Sequence, residues 1–138
     1  MFLLGAATLG ALAFGPKPRA ESRGLSAEAE ARTHVIRLES NRFVPRETTV
    51  GVGDTVRFVN GQGGPHNVEF IADSMPVPAR AVLDSAMTGL KIRTLSGPLL
   101  IFPEQEYKVV MPPIPSGRYA FLCVPHAANM QGAIVVDR

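Results

Sequence analysis

The 138-residue chain carries 14 Lys and Arg against 12 Asp and Glu, a formal net charge of +2, and a single cysteine. That length suggests one domain, and the lone cysteine excludes a disulfide within the chain. The basic residues are spread singly, with no run of the kind that binds nucleic acid. From Thr33 onward ten Lys and Arg face nine Asp and Glu, so long-range charge steering of a partner is modest.

Phe2 to Gly15 is a continuous run of apolar and small residues broken by one Thr. A membrane-spanning helix needs about 20 apolar residues, and this run is shorter. It fits the apolar core of a signal peptide, with Ala11-Leu12-Ala13 as a small-x-small cleavage site, although no Lys or Arg precedes it. An uncleaved anchor and a core segment of the fold are the competing readings. No other segment is long and apolar enough to span a bilayer. Pro16 to Arg32 is rich in Ala, Glu, Arg, Ser and Pro, with Leu25 as its one large apolar residue, and buries too little to offset its ordering entropy. We divide the chain into a signal peptide or N-terminal anchor at 1–20, a flexible linker at 21–32 and a folded domain at 33–138. Membrane association follows only if the first segment stays uncleaved.

From Thr33 the pattern turns to period two. Ile36 and Leu38 alternate with Val35, Arg37 and Glu39, the signature of a half-buried strand. Phe43-Val44-Pro45 breaks it, and Thr48-Thr49-Val50 leads through Gly51 and Gly53-Asp54, a turn signal. Thr55 to Asn60 reads as a strand, with Val56 and Phe58 on one face and Arg57 on the other. After the Gly61–Pro65 turn, His66 to Ile71 is the next strand. Asp73 to Pro103 is punctuated by Pro and Gly, with one short helix over Ala79 to Met87, and such a stretch packs as an irregular flank. Glu106 to Met111 is a strand stopped by Pro112-Pro113-Ile114-Pro115. Arg118 to Cys123 and Gly132 to Asp137 are the last two. Several short strands with frequent turns predict an all-β antiparallel sandwich or barrel with a short helical or irregular insertion.

The chemistry gathers in Phe121-Leu122-Cys123-Val124-Pro125-His126-Ala127-Ala128-Asn129-Met130. The spacing is Cys-x2-His-x3-Met. A thiolate and an imidazole suit a soft or borderline transition metal, and a thioether is a weak further ligand. A blue-copper centre needs a second His, which must come from His34 or His66. A solitary cysteine is otherwise most often a small buried hydrophobe. A single His is more often a satisfied core or surface residue, and a methionine more often fills a core gap. The joint pattern outweighs those readings for Cys123, His66, His126 and Met130. Met75, Met87 and Met111 lack partner ligands and read as packing, and His34 stays outside the site.

Cys123-Val124-Pro125-His126 with Met130, preceded by Pro65-His66-Asn67, resembles the copper-binding loops of plastocyanin-like cupredoxins. Phe43-Val44-Pro45, Val50, Gly53-Asp54-Thr55-Val56 and Phe58-Val59-Asn60 extend the resemblance over the early strands. It implies a Greek-key sandwich and one copper per chain, cycling between Cu(I) and Cu(II). His66, Cys123 and His126 would be its ligands, with Met130 as the axial one. It also implies that Asn67 ties the two ligand loops by hydrogen bonds. His126 and Met130 are four apart, one fewer than in plant plastocyanins and equal to the azurin spacing. Leu122 stands where plant plastocyanins carry a tyrosine used for remote electron entry, so the resemblance does not extend to that route.

The implied role is a monomeric, exported, periplasmic or otherwise extracytoplasmic one-electron carrier with no enzymatic activity. It would meet a redox donor and acceptor transiently, a c-type cytochrome or a membrane oxidoreductase among them. The alternative is a copper-handling or copper-sensing module that does not shuttle electrons. A copper oxidase or reductase needs ligands beyond His34, and a dinuclear copper domain needs a second cysteine. A metal-free adhesion domain leaves the ligand set unexplained, and zinc is tolerated by the same donors.

Overall fold

The computed structural model describes residues 10, 15 and 30–137. The leader or anchor expected at 1–20 therefore lies almost wholly outside the described residues, as does most of the linker. Among the described residues no helix is long and apolar enough to cross a membrane.

Among the described residues eight strands form two four-stranded sheets packed face to face. The strands are β1 (Thr33–Glu39), β2 (Arg42–Val44), β3 (Glu47–Val50), β4 (Thr55–Asn60), β5 (Glu69–Phe70), β6 (Glu106–Val110), β7 (Gly117–Leu122) and β8 (Gln131–Val136), with one helix α1 (Val77–Ala86) between β5 and β6. The first sheet has the order β2-β1-β4-β6 and the second β3-β8-β7-β5. The expected all-β sandwich with a short helical insertion is found. Its sheets are mixed, because β1 runs parallel to β4 and β3 parallel to β8. Strands joined by tight turns pair antiparallel, as β1 and β2 do. β4 rejoins the first sheet only after β3 has crossed to the second, and so travels alongside β1.

Period-two alternation sets the interior. Ile36 and Leu38 of β1, Val56 and Phe58 of β4, Tyr107 and Val109 of β6, and Tyr119 and Phe121 of β7 are all buried. Phe121 is the hub, with edge-on contacts to Phe43, Phe58 and Phe70 at centroid separations of 4.7, 5.6 and 5.5 Å. Burying such a ring contributes on the order of 2–3 kcal/mol, and each edge-to-face pair adds roughly 0.5–1.5 kcal/mol. Helix α1 begins at Val77 with Pro78 in its first turn, where a missing N–H costs nothing. Ala79 and Leu83, one helical turn apart, point into the core, and Met87 just beyond continues that stripe.

The strand expected over His66 to Ile71 is shorter than predicted. Only Glu69 and Phe70 pair with β7. The remainder is held by the insertion, through bridges His66↔Leu100 and Glu69↔Ser96. The 73–103 insertion is thus more than a flank: its arm Leu95–Leu100 lines up backbone to backbone with the His66 segment.

Candidate metal centre

Three chain segments converge where β4 and β7 end and β8 begins. The inward face of β7 runs Tyr119, Phe121 and then Cys123, so the alternation that builds the core also delivers the thiol to the interior. Cys123 is fully buried and free. The next seven residues fold back on themselves. His126 N–H donates to Cys123 O at 3.1 Å, Met130 N–H to His126 O at 2.9 Å, and Cys123 N–H to Met130 O at 3.0 Å. Pro125, which has no N–H, sits in the first turn of this bend. Met130 ends the loop fully buried among the core side chains.

His66 comes from the opposite loop and is also fully buried. Its backbone is clamped twice by Leu100, N–H to O at 3.0 Å and O from N–H at 2.7 Å. Its ring lies between Ser40 O, 2.8 Å from Nε2, and Asn60 Oδ1, 2.7 Å from Nδ1. Asn60 continues the inward row Val56, Phe58 of β4, and its Nδ2 donates to Phe102 O at 2.9 Å. Ser40 can approach because Gly63 has no side chain: a Cβ there would lie 2.7 Å from the Ser40 Cα, and its φ is +77°.

The four sequence candidates are therefore at one end of the sandwich. Cys123 Sγ lies 3.5 Å from His126 Nδ1, and the His66 and His126 rings are 5.0 Å apart at 39°. Two donors that share an ion at about 2.0–2.3 Å, at tetrahedral or trigonal angles, stand roughly 3.5 Å apart. The Cys123–His126 pair fits that spacing. Among the described residues no three His, Cys, Asp or Glu side chains converge as a finished cluster. His66 is the member held back, turned onto Ser40 and Asn60. As a metal ligand His66 would release one of these two contacts, since coordination takes one ring nitrogen. A thiolate, two imidazoles and a thioether form a donor set suited to copper.

Asn67 joins the His66 loop to the Cys123–Met130 loop. Its side-chain Oδ1 accepts from Val124 N–H at 2.7 Å, and its Nδ2 donates to Ser96 Oγ at 3.2 Å. Burial pushes the Cys123 thiol up, while the backbone N–H groups of Asn67 and His126 aimed at its sulfur pull the other way. His34 is remote from this cluster, with its Nε2 2.8 Å from Asp54 Oδ2 at the opposite end of β1. Asn60, Ser96 and the Leu100 backbone were not foreseen. A polar residue at the end of the inward row Val56–Phe58–Asn60 was the one available signal.

At the surface, His126 is half-buried. Pro125, Ala127 and Ala128 beside it in sequence are exposed, as are Gly63, Gly64 and Pro65 of the His66 loop. Ile101 and Phe102, 60% and 69% exposed, add an apolar ledge beside the Asn60 contact.

Residues 32–137 match the model of copper binding proteins of the plastocyanin/azurin family. A plastocyanin of Synechococcus sp. (strain JA-2-3B'a(2-13)) is 31% identical over 118 residues, covering 82% of this chain and 79% of its own. The plastocyanin of Vicia faba is 36% identical over 96 residues, 69% of this chain and 87% of its own. Among solved structures, an oxidised methionine-to-leucine mutant of amicyanin superposes with a TM-score of 0.54 at 29% identity, over 75% of this chain and 80% of that one. The chain belongs to the plastocyanin/azurin family of copper-binding proteins, with a single copper as its cofactor.

Proposed function

We propose that the chain is a mononuclear one-electron carrier whose copper is held by His66, Cys123, His126 and Met130. The observation that carries this reading is the closed Cys123–Met130 loop. Cys123, Met130 and the facing His66 have no exposed surface, and His126 alone reaches half-way to solvent. When bound, copper supplies a Cu(I)/Cu(II) couple at potentials that protein ligands tune. The chain's own residues do three things. The Leu100 and Ser40 contacts fix His66, and the Met130 backbone fixes Cys123, so the donors stay in place across a change of charge. The buried walls exclude water that would otherwise add ligands. The small neighbours of His126 leave its outer edge free, so an electron has a short path from the ring to a partner.

The plastocyanin and amicyanin relatives support a carrier rather than an enzyme. Redox donor and acceptor would meet the rim around His126 briefly, as redox encounters bury under about 1,200 Å². A relative named as a chloroplastic plastocyanin supports an extracytoplasmic setting. On that reading residues 1–20 would be the export signal, 21–32 the linker and 33–138 the copper domain. The alternative, a copper-handling module, differs in its kinetics. Protein-film voltammetry of the copper-loaded chain tests the choice. Reversible, fast one-electron waves are expected; sluggish or irreversible reduction would favour handling.

A further inference from the structure

The 73–103 insertion reaches the centre at a point that the ligand loops alone do not explain. Ser96 has no exposed surface, and neither has Asn67. The Ser96 hydroxyl accepts from Asn67 Nδ2 at 3.2 Å and faces Gly97 O at 3.4 Å. The Asn67 amide is held on its other side too, its Oδ1 accepting from Val124 N–H at 2.7 Å. The same residue's backbone N–H is aimed at the Cys123 sulfur. Asn67 thus touches the proposed thiolate ligand, the residue after it, and the insertion. On either side of Ser96 the arm is registered by the backbone: Phe70 N–H to Leu95 O at 2.9 Å, Gly97 N–H to Val68 O at 2.8 Å. The hydroxyl is therefore presented from a braced segment.

We propose that Ser96 is a positioning residue that sets the reduction potential through Asn67. The inference rests on the reading of Cys123 as the thiolate ligand. Its logic is a chain of hydrogen bonds. A buried amide that loses one partner costs roughly 1–3 kcal/mol unless it moves to find another. Without the Ser96 hydroxyl, the Asn67 side chain turns toward a new acceptor and carries its backbone N–H off the sulfur. Hydrogen bonding at the cysteine sulfur is one of the quantities that tunes a blue-copper potential. A thiolate with fewer hydrogen bonds donates more charge and favours Cu(II), so the potential falls.

The test uses the full chain with Ser96→Ala, Ser96→Thr and Asn67→Ala. Ser96→Ala should lower the equilibrium constant for reduction by about threefold, while keeping the blue band. Ser96→Thr, which keeps a hydroxyl, should stay close to the parent. In the Asn67→Ala background the Ser96→Ala shift should vanish, as a cycle through a shared partner requires. In the copper-free protein, hydrogen exchange at the Val124 amide should quicken several-fold in Ser96→Ala. An unchanged potential in Ser96→Ala overturns the proposal. Equal shifts in the Ala and Thr variants, or a shift that persists without the Asn67 amide, also overturn it. If the Asn67→Ala protein does not fold, the Ala and Thr pair decides. A parent protein that binds Cu(II) without a blue band refutes the thiolate reading itself, a separate outcome from an unshifted Ser96→Ala potential in a blue parent.

Discussion

Met130 is the residue whose role makes the sharpest quantitative demand. It closes the loop by accepting from Cys123 N–H through its backbone, and its side chain is wholly buried. If its thioether is the weak donor, Met130→Leu removes a group that favours Cu(II) and keeps the volume. The potential should then rise by on the order of 59 mV, a tenfold change in equilibrium constant, as read by voltammetry. An unchanged potential would assign Met130 to packing alone. The ligand candidates were legible because Cys, His and Met are rare in this chain and lie in one short loop. Asn60, Ser96 and Leu100 were not. Their contributions are hydrogen bonds between segments far apart in sequence, and no local pattern marks a serine or a backbone carbonyl for that task.

The insertion shows what was hidden among the elements. Its helix was expected over Ala79 to Met87 and is found at Val77–Ala86, because Ala79, Leu83 and Met87 repeat at helical spacing while Pro78 suits a first turn. The strand Thr55–Asn60 is found as expected, its alternation being clean. The strand over His66 to Ile71 is cut to two residues beside β7, its other edge is taken by the Leu95–Leu100 arm, and nothing in a single sequence announces a partner strand without periodicity. Leu83 anchors α1 with no exposed surface. Leu83→Ala should cost about 3 kcal/mol by loss of transfer energy and an unfilled cavity, measured by urea unfolding of the copper-free protein. The cost should come with an unchanged urea slope if the sandwich remains one cooperative unit.

At the scale of the molecule, the Asp54 carboxyl is shifted far enough to bear clearly on stability. Asp54 sits in the β3–β4 turn, only 8% exposed. Burial alone would raise its carboxyl, but the backbone N–H groups of Arg32 and Gly51 and the His34 ring outweigh that and hold it at about 2. Because the folded value is depressed, the stabilisation is present in full above the unfolded carboxylate range. It is lost as pH falls through about 2. Its size at neutral pH is on the order of 2 kcal/mol. Denaturant unfolding from pH 7 to pH 2 should show this decline, and Asp54→Asn should start lower and decline less. The near balance of charge has a second consequence. Partner approach should depend on the apolar rim more than on long-range fields, so Ala127→Glu should slow electron transfer to a c-type cytochrome while leaving spectrum and potential intact. A charge placed at Ser26 should do little. A bimolecular rate for Ala127→Glu equal to the parent's at low and high salt would move the docking face elsewhere. The sandwich as a whole was legible because buried and exposed residues alternate along most strands. The parallel pairings were not, since they depend on which sheet each crossing strand joins.

The central claim is that Cys123 and the two histidines hold copper through a thiolate, and the absorption and EPR spectra of Cu(II)-loaded protein test it most directly. The expected result is an intense blue charge-transfer band with a narrow copper hyperfine splitting, both lost in Cys123→Ser because the band requires thiolate sulfur. A parent protein that binds Cu(II) without the band, or a Cys123→Ser protein that stays blue, would contradict the account.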